Sequence, residues 1–157
     1  MSDAYRFARE SGCLEGVLEL SALPRLADVL ASLAGTVSYR LSGFTGEREQ
    51  ARLRLQVTGT LQLRCQRCLG AVEEVLAIDS RLELASADSA PTQEELEDER
   101  LDILPVTGAL DISALVEDEI LLALPTSPRH VTCSLPATDG TDAEPHPFAA
   151  LAVLKHC

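Results

Sequence analysis

The sequence predicts an α+β domain: an antiparallel sheet with a long central hairpin, covered on one face by helices. Three observations support this prediction. Apolar and polar residues alternate from Ala51 to Cys65, and again from Val72 to Leu84, as they do in half-buried strands. A short turn separates the two runs, which indicates an antiparallel hairpin. Elsewhere, apolar residues recur at intervals of three and four, the spacing of a helix face.

Composition limits the class of protein. The chain has 157 residues, which fits one domain, and 46% of them are hydrophobic. Aromatic residues make up only 3%, so the core must consist mainly of Leu, Val, Ile and Ala. No apolar run approaches the roughly 20 residues of a membrane helix, and the first ten residues do not resemble a signal peptide. We therefore expect a cytoplasmic protein without a membrane partner.

The elements of the first half are predicted in chain order. The first helix spans 21–34, with Ser21 as its N-cap and Gly35 at its end. A short strand follows at 37–41, where apolar residues occupy every second position. Gly59 lies on the apolar side of the first long run, where it is expected to mark a bend or a bulge.

The second half combines an acidic loop with a helix. Residues 85–100 are small and acidic and predict a loop, after which apolar residues at 101–104 return to the core. A helix is predicted between Asp111, a suitable N-cap, and Pro125, which ends it. Its predicted buried positions are Ile112, Leu115, Val116, Ile120 and Leu122.

These elements predict a core domain followed by a tail. Residues 1–125 form the α+β core domain, and residues 126–157 form an irregular, proline-rich tail. The tail ends in a short helix at 147–155, which is apolar enough that it should dock on another surface.

Charge is distributed unevenly along the chain, whose formal net charge is −12. Residues 37–68 contain six arginines, whereas residues 88–119 contain eleven acids and one base. This asymmetry indicates two faces with different partners, although the acidic stretch can also be a solvated surface that maintains solubility.

The arginines of the hairpin are candidate RNA-binding residues. Arg52, Arg54 and Arg64 lie on the polar side of the first strand, and Arg67 lies in the turn. The planar guanidinium group binds phosphate through two hydrogen bonds. Because the hairpin offers no aromatic platform for stacking bases, the pattern favours contacts with an RNA backbone or docking to a protein.

Two remote pairs of side chains can form a metal site. Cys65 and Cys68 lie at the hairpin turn, and His130 and Cys133 could complete a Cys3His zinc site. The 61 residues between Cys68 and His130 exceed the spacing of compact zinc fingers, so the fold must bring the pairs together. Two alternatives remain open: a redox pair, although no helix N-terminus is predicted to lower the Cys65 pKa, or ordinary core and turn residues. An odd number of cysteines argues against a disulfide framework.

No set of residues predicts catalysis. The serines lack a neighbouring His and Asp at a known spacing, and no glycine-rich phosphate loop is present in the sequence. Glu117, Asp118 and Glu119 are consecutive on a helix and point in different directions, which predicts a solvated helix face. We therefore expect no enzyme activity and no small-molecule substrate.

Three segments together resemble the YceD family, the large ribosomal RNA subunit accumulation proteins. They are LRCQRCL at 63–69, LVEDEILLALP at 115–125 and PFAALAVLK at 147–155. The matching motif positions, to which no role is assigned, are Cys65, Arg67 and Cys68, and Glu117, Asp118 and Glu119.

The resemblance implies a ribosome biogenesis factor that supports synthesis, processing or stability of 23S rRNA by binding. Large-subunit rRNA or its precursor is therefore an expected partner. The acidic stretch adds basic ribosomal proteins as candidate partners, and the cysteine and histidine pairs add a structural zinc as a candidate cofactor. The alternatives are an adaptor that binds only basic ribosomal proteins and a CxxC thiol oxidoreductase.

Overall fold

The computed structural model describes residues 3–46, 49–86, 102–106 and 109–134. Within these ranges the chain forms one five-stranded sheet with two α-helices. The strands are β1 (Cys13–Glu19), β2 (Thr36–Thr45), β3 (Ala51–Arg64), β4 (Ala71–Ser86) and β5 (Asp102–Val106), and the helices are α1 (Ala4–Arg9) and α2 (Ile112–Ala123). The strands lie in sequence order; β4 and β5 pair in parallel and the other pairs are antiparallel.

The central hairpin of β3 and β4 confirms the prediction from alternation. Pairing is continuous from Arg52 opposite Glu83 to Arg64 opposite Ala71. Every second residue of β3 except Gly59 is buried, including Leu55 and Val57. We call the side of the sheet that carries these residues the core side and the opposite side the outer side.

Gly59 marks a close approach of two strands, and the predicted bulge is absent from this hairpin. The register passes unbroken through Gly59, which lies opposite Leu76 on β4 and Val37 on β2. A Cβ atom at this position would lie only 2.9 Å from Cγ1 of Val37. Glycine is therefore present because β2 packs too closely for a larger residue.

The helix predicted at 21–34 is wrong. The chain instead forms two 3-10 turns, Leu20–Ala22 and Pro24–Leu26, and then pairs with the end of β3. The amide of Ala31 donates to the carbonyl of Gln62 at 2.7 Å. Because β2 does not extend along this part of β3, residues 29–31 supply the missing backbone partners, and this long-range pairing overrides the helical spacing.

The N-terminal elements were not predicted from the sequence. The short helix α1 has Asp3 as its N-cap and packs against β2 and β3. The contact is tight, because a Cβ atom on Gly43 would lie 2.5 Å from Cα of Ala8. Strand β1 could not be predicted from the sequence, because most of its residues are exposed and its apolar and polar residues do not alternate.

Helix α2 begins and ends as predicted. The Asp111 side chain accepts hydrogen bonds from the amides of Ser113 and Ala114, and Pro125 follows the last turn. Ile120 is buried as predicted, whereas Leu122 is 79% exposed and its predicted burial is wrong. In the described part of the chain, no helix combines the length and apolarity needed to cross a membrane.

The core is covered by more than helices. Apolar residues of α1, α2 and the 3-10 turns join those of the sheet in one buried cluster. Leu20, Leu23 and Leu26, all from the 3-10 segment, are completely buried. The mostly antiparallel sheet is therefore confirmed, but a cover made by helices alone is not. The acidic loop, apart from 85–86 at the end of β4, and the terminal helix at 147–155 lie outside the described residues.

Candidate metal centre

The turn after β3 fixes the first pair of candidate ligands. The amide of Cys65 donates to the carbonyl of Gly70 at 2.8 Å, and the amide of Leu69 donates to the carbonyl of Cys65 at 3.0 Å. Leu69 has a φ of 61°, the left-handed conformation that allows the chain to reverse at this point. The turn therefore presents Cys65 and Cys68 from a backbone that is hydrogen-bonded on both sides.

The segment after α2 brings the second pair to this turn. The amide of Gln66 donates to the carbonyl of Pro128 at 2.9 Å. Nε2 of His130 lies 2.8 Å from the carbonyl oxygen of Ala71, the first residue of β4. These two contacts explain how side chains separated by 61 residues of sequence meet in the fold.

The four donor atoms of Cys65, Cys68, His130 and Cys133 lie within 4.8 Å of one another. The Sγ atoms of Cys65 and Cys133 are 3.9 Å apart, and Sγ of Cys68 is 3.3 Å from Nδ1 of His130. A tetrahedral zinc ion with Zn–S bonds of 2.3 Å separates its thiolates by about 3.8 Å. The spacing of the donors therefore fits zinc.

The orientation of His130 also fits a metal ligand. Because Nε2 is positioned to donate to the Ala71 carbonyl, Nδ1 carries the free lone pair and faces Cys68. Histidine ligands usually donate their second N–H to a carbonyl or carboxylate in this way, which fixes the ring and its tautomer.

The turn stabilises a thiolate at Cys65. Hydrogen bonds from the backbone amides of Cys68 and Arg67 lower the pKa of the Cys65 thiol to about 5. Burial and the neighbouring Cys65 raise the pKa of Cys133. Since the thiolate is the form that binds metal, the site contains one ligand that is ionised before a metal arrives.

The two alternative interpretations of the cysteines fit less well. As expected, no helix N-terminus lies at Cys65, but the turn amides lower the pKa of its thiol instead. A catalytic thiol must nevertheless be accessible, and Cys65 is fully buried. Ordinary core and turn residues would explain Cys65 and Cys68 but not the convergence of His130 and Cys133.

The four hairpin arginines differ in their surroundings. Arg52 forms an ion pair with Glu83 at 2.8 Å, and Arg54 forms one with Asp79 at 2.5 Å. Arg64 and Arg67 are exposed and form no ion pair with any described residue. Arg64 and Arg67, near the turn, are therefore available to bind a partner. The charges of Arg52 and Arg54, farther along β3, are neutralised by their ion pairs.

The acidic triplet on α2 is not a solvated face, contrary to the sequence prediction. Glu117 is 4% exposed, and its Oε1 accepts a hydrogen bond from the amide of Arg25 at 2.6 Å. Asp118 forms an ion pair with the Arg25 guanidinium. Glu119 is 7% exposed and accepts a hydrogen bond from the Ser80 hydroxyl.

The triplet therefore joins α2 to the second 3-10 turn and to β4. This role could not be predicted from the sequence, because the partners of Glu117 and Glu119 lie 92 and 39 positions away. Consecutive helix residues can have partners on different sides when the helix lies between two other elements.

We expect Glu117→Ala to lower the free energy of unfolding by about 1–3 kcal/mol, because it leaves a part-buried amide of Arg25 without its acceptor. Asp118→Ala should cost less than about 1 kcal/mol, since its ion pair is exposed. Urea denaturation would measure both, and Glu117→Gln, which retains an acceptor, should restore most of the loss. Equal losses for Glu117→Ala and Asp118→Ala would contradict this assignment.

Comparison with known proteins places the chain in a family. The family model described as "Large ribosomal RNA subunit accumulation protein YceD" matches residues 53–155, which is more than half of the chain. The chain belongs to the YceD family. A curated YceD protein of Haemophilus influenzae, named large ribosomal RNA subunit accumulation protein, is 26% identical over 155 residues, covering 89% of this chain and 86% of its own length. No solved structure matches.

The part of the chain that matches the YceD family model contains the four candidate metal ligands and the acidic triplet, but not the triplet's partner Arg25. It also contains Arg54, Arg64 and Arg67, whereas Arg52 lies one residue before it. The family resemblance inferred from three short segments is thereby confirmed.

Proposed function

We propose that this YceD protein supports accumulation of large-subunit ribosomal RNA by binding that RNA or its precursor in the cytoplasm, without catalysing a reaction. The family name supports the role in rRNA accumulation. The observation that carries the binding mechanism is the pair of exposed arginines, Arg64 and Arg67, at a turn that also carries two candidate metal ligands.

A rigid turn makes two arginines effective ligands for phosphate. Arg64 ends β3 and Arg67 lies between the two cysteines, so a metal ion would restrict the backbone beneath both side chains. Restricting a binding residue before it meets its partner reduces the entropy lost on binding. Arg52 and Arg54 contribute less, because a phosphate would have to compete with Glu83 and Asp79.

The metal in this proposal is a structural zinc. Three cysteines and one histidine fill a tetrahedral coordination shell, whereas catalytic zinc sites keep one position open for water or substrate. Cys65 and Cys68 belong to the turn, and His130 and Cys133 belong to the segment after α2. Zinc would therefore connect the hairpin to the tail.

A second candidate function is an adaptor that binds only basic ribosomal proteins. The formal net charge of −12 favours it, because an acidic protein repels RNA at long range and attracts basic partners. Recovery of ribosomal proteins on the immobilised protein after nuclease treatment, with no affinity for purified rRNA, would favour the adaptor over the RNA-binding function.

We expect the double variant Arg64→Glu/Arg67→Glu to lose most of its affinity for large-subunit rRNA. If each arginine contacts one phosphate, the plot of log association constant against log salt concentration should become shallower. The magnitude of its negative slope should decrease by about 1.4–1.8. Electrophoretic shift across a salt series measures both quantities. In cells that carry only this variant, the ratio of 23S to 16S rRNA should fall as it does in cells that lack the protein.

The matched control is Arg6→Glu/Arg9→Glu, which changes the net charge equally but acts on α1. It should reduce affinity only slightly and preserve the rRNA ratio. Unchanged binding by the Arg64/Arg67 variant, or equal losses in the control, would rule out specific contact at the turn.

A further inference from the structure

A groove of about 590 Å³ lies beside the candidate metal centre. One wall is the start of β4, and the other is the segment that follows α2. The residues that line it include Val72, Glu73, Glu74, Pro125, Pro128 and Val131. Its volume lies within the range of about 300–1,000 Å³ that ligand-binding clefts usually have.

Residues from both sides of the hairpin line the groove. Val72 and Glu74 lie opposite Leu63 and Leu61 on β3, and because both of these leucines are buried in the core, Val72 and Glu74 face the core side. Glu73 lies opposite Gln62 and faces the outer side, as Arg64 does. The groove therefore follows β4 and has a carboxylate on each side of the sheet.

Apolar side chains contribute to the lining of the groove. Val131, in the groove wall, is fully exposed. Val72, Pro125 and Pro128 add further apolar lining. Concentration of exposed apolar side chains around a concave surface is typical of a protein-binding site.

The charges around the groove favour a basic partner. Glu73 and Glu74 form no ion pair with the residues that the structure describes. Helix α2 ends beside the groove with no basic residue in its last turn, so its C-terminal carbonyl groups add negative potential. Arg129 is the positively charged lining residue that opposes them. This potential disfavours nucleic acid.

We propose that this groove binds an extended peptide segment that alternates basic and apolar residues, such as an unfolded extension of a basic protein. Lysine or arginine side chains of the peptide would pair with Glu73 and Glu74, and its apolar side chains would cover Val131. This interaction does not depend on RNA binding by Arg64 and Arg67.

The metal centre supports one wall of the groove. His130 is both a lining residue and a candidate ligand, and Pro128 is tied to the turn through the amide of Gln66. Loss of the metal should therefore free the segment 125–131 and weaken peptide binding.

The proposal can be tested with a fluorescein-labelled peptide of four Lys-Val-Pro repeats and the full-length protein purified with zinc. Fluorescence anisotropy should show saturable binding, with no binding of a matched Glu-Val-Pro peptide and weaker binding of a Lys-Ser-Pro peptide. Glu73→Lys/Glu74→Lys and, separately, Val131→Asp should each raise Kd by about tenfold or more. Circular dichroism would verify that both variants are folded.

The control Glu10→Lys/Asp102→Lys changes the net charge by the same amount on α1 and β5 and should leave Kd within about twofold of wild type. Equal loss in this control would show non-specific charge attraction and overturn the proposal. The proposal would also be overturned if an unlabelled peptide of residues 145–157 displaced the probe and depended on Val131, because the groove would then hold the chain's own C-terminal segment. Since no RNA is present, neither result bears on the proposed RNA function.

Discussion

Replacing Cys68 with serine is expected to abolish zinc binding and to destabilise the protein. The wild-type protein, expressed with zinc in the medium, should contain about one zinc ion per chain. The variant should contain less than about a tenth of that amount, because serine replaces a thiolate with a poor zinc ligand. Inductively coupled plasma mass spectrometry of the purified proteins gives the metal content directly.

The stability effect follows from where the ligands lie in the chain. Zinc would connect the hairpin turn to a segment 61 residues away, so its loss frees both. A loss of about 3–4 kcal/mol corresponds to a fall in Tm of about 10 °C for a domain of this size. Chelation of the wild-type protein with an excess of a strong zinc ligand should lower Tm by a similar amount.

Cys13→Ser provides the matched control, because Cys13 is an exposed free cysteine in β1, outside the ligand cluster. This variant should keep its zinc and its Tm. A wild-type protein that is well folded and remains metal-free in the presence of zinc would contradict the metal centre. Retention of zinc by Cys68→Ser would contradict the proposed ligand set.

Ile120→Ala should lower the free energy of unfolding by about 2–5 kcal/mol, whereas Leu122→Ala should change it by less than about 0.5 kcal/mol. The two residues lie two positions apart in the same helix, and the sequence predicts burial for both. In the structure Ile120 is fully buried and Leu122 is largely exposed, so only the first substitution leaves a cavity. Urea denaturation of both variants measures the difference.

Comparable losses in the two variants would show that α2 is rotated about its axis relative to this structure. Such a rotation would also remove the contacts of Glu117 with Arg25 and of Glu119 with Ser80. The prediction therefore tests the orientation on which the structural role of the acidic triplet depends.

The acidic triplet shows how a family motif can be structural. Its sequence resembles a charged surface available to a partner, yet two of the three carboxylates are buried and hydrogen-bonded within the chain. Asp118 is the most exposed residue of the triplet, and it forms an ion pair with Arg25. We therefore assign the partner contacts to the hairpin turn and the adjacent groove, and a positioning role to the triplet.

The sequence by itself determined the elements whose signal is local. The β3–β4 hairpin followed from alternation over two long strands, and α2 followed from an Asp111 cap and a terminal proline. The four candidate ligands were also identifiable, because cysteine and histidine are the side chains that zinc prefers. Each of these inferences uses only side-chain chemistry or the repeat of a strand or helix.

Only the tertiary structure decided which distant residues meet. Residues 21–34 have helical spacing, but the unpaired end of β3 offers hydrogen bonds that bring residues 29–31 into an antiparallel bridge with it. The convergence of His130 and Cys133 on the turn, and the burial of Glu117, depend likewise on contacts between segments far apart in sequence. Such contacts form when packing brings complementary groups together, and the periodicity of a single segment contains no record of that packing.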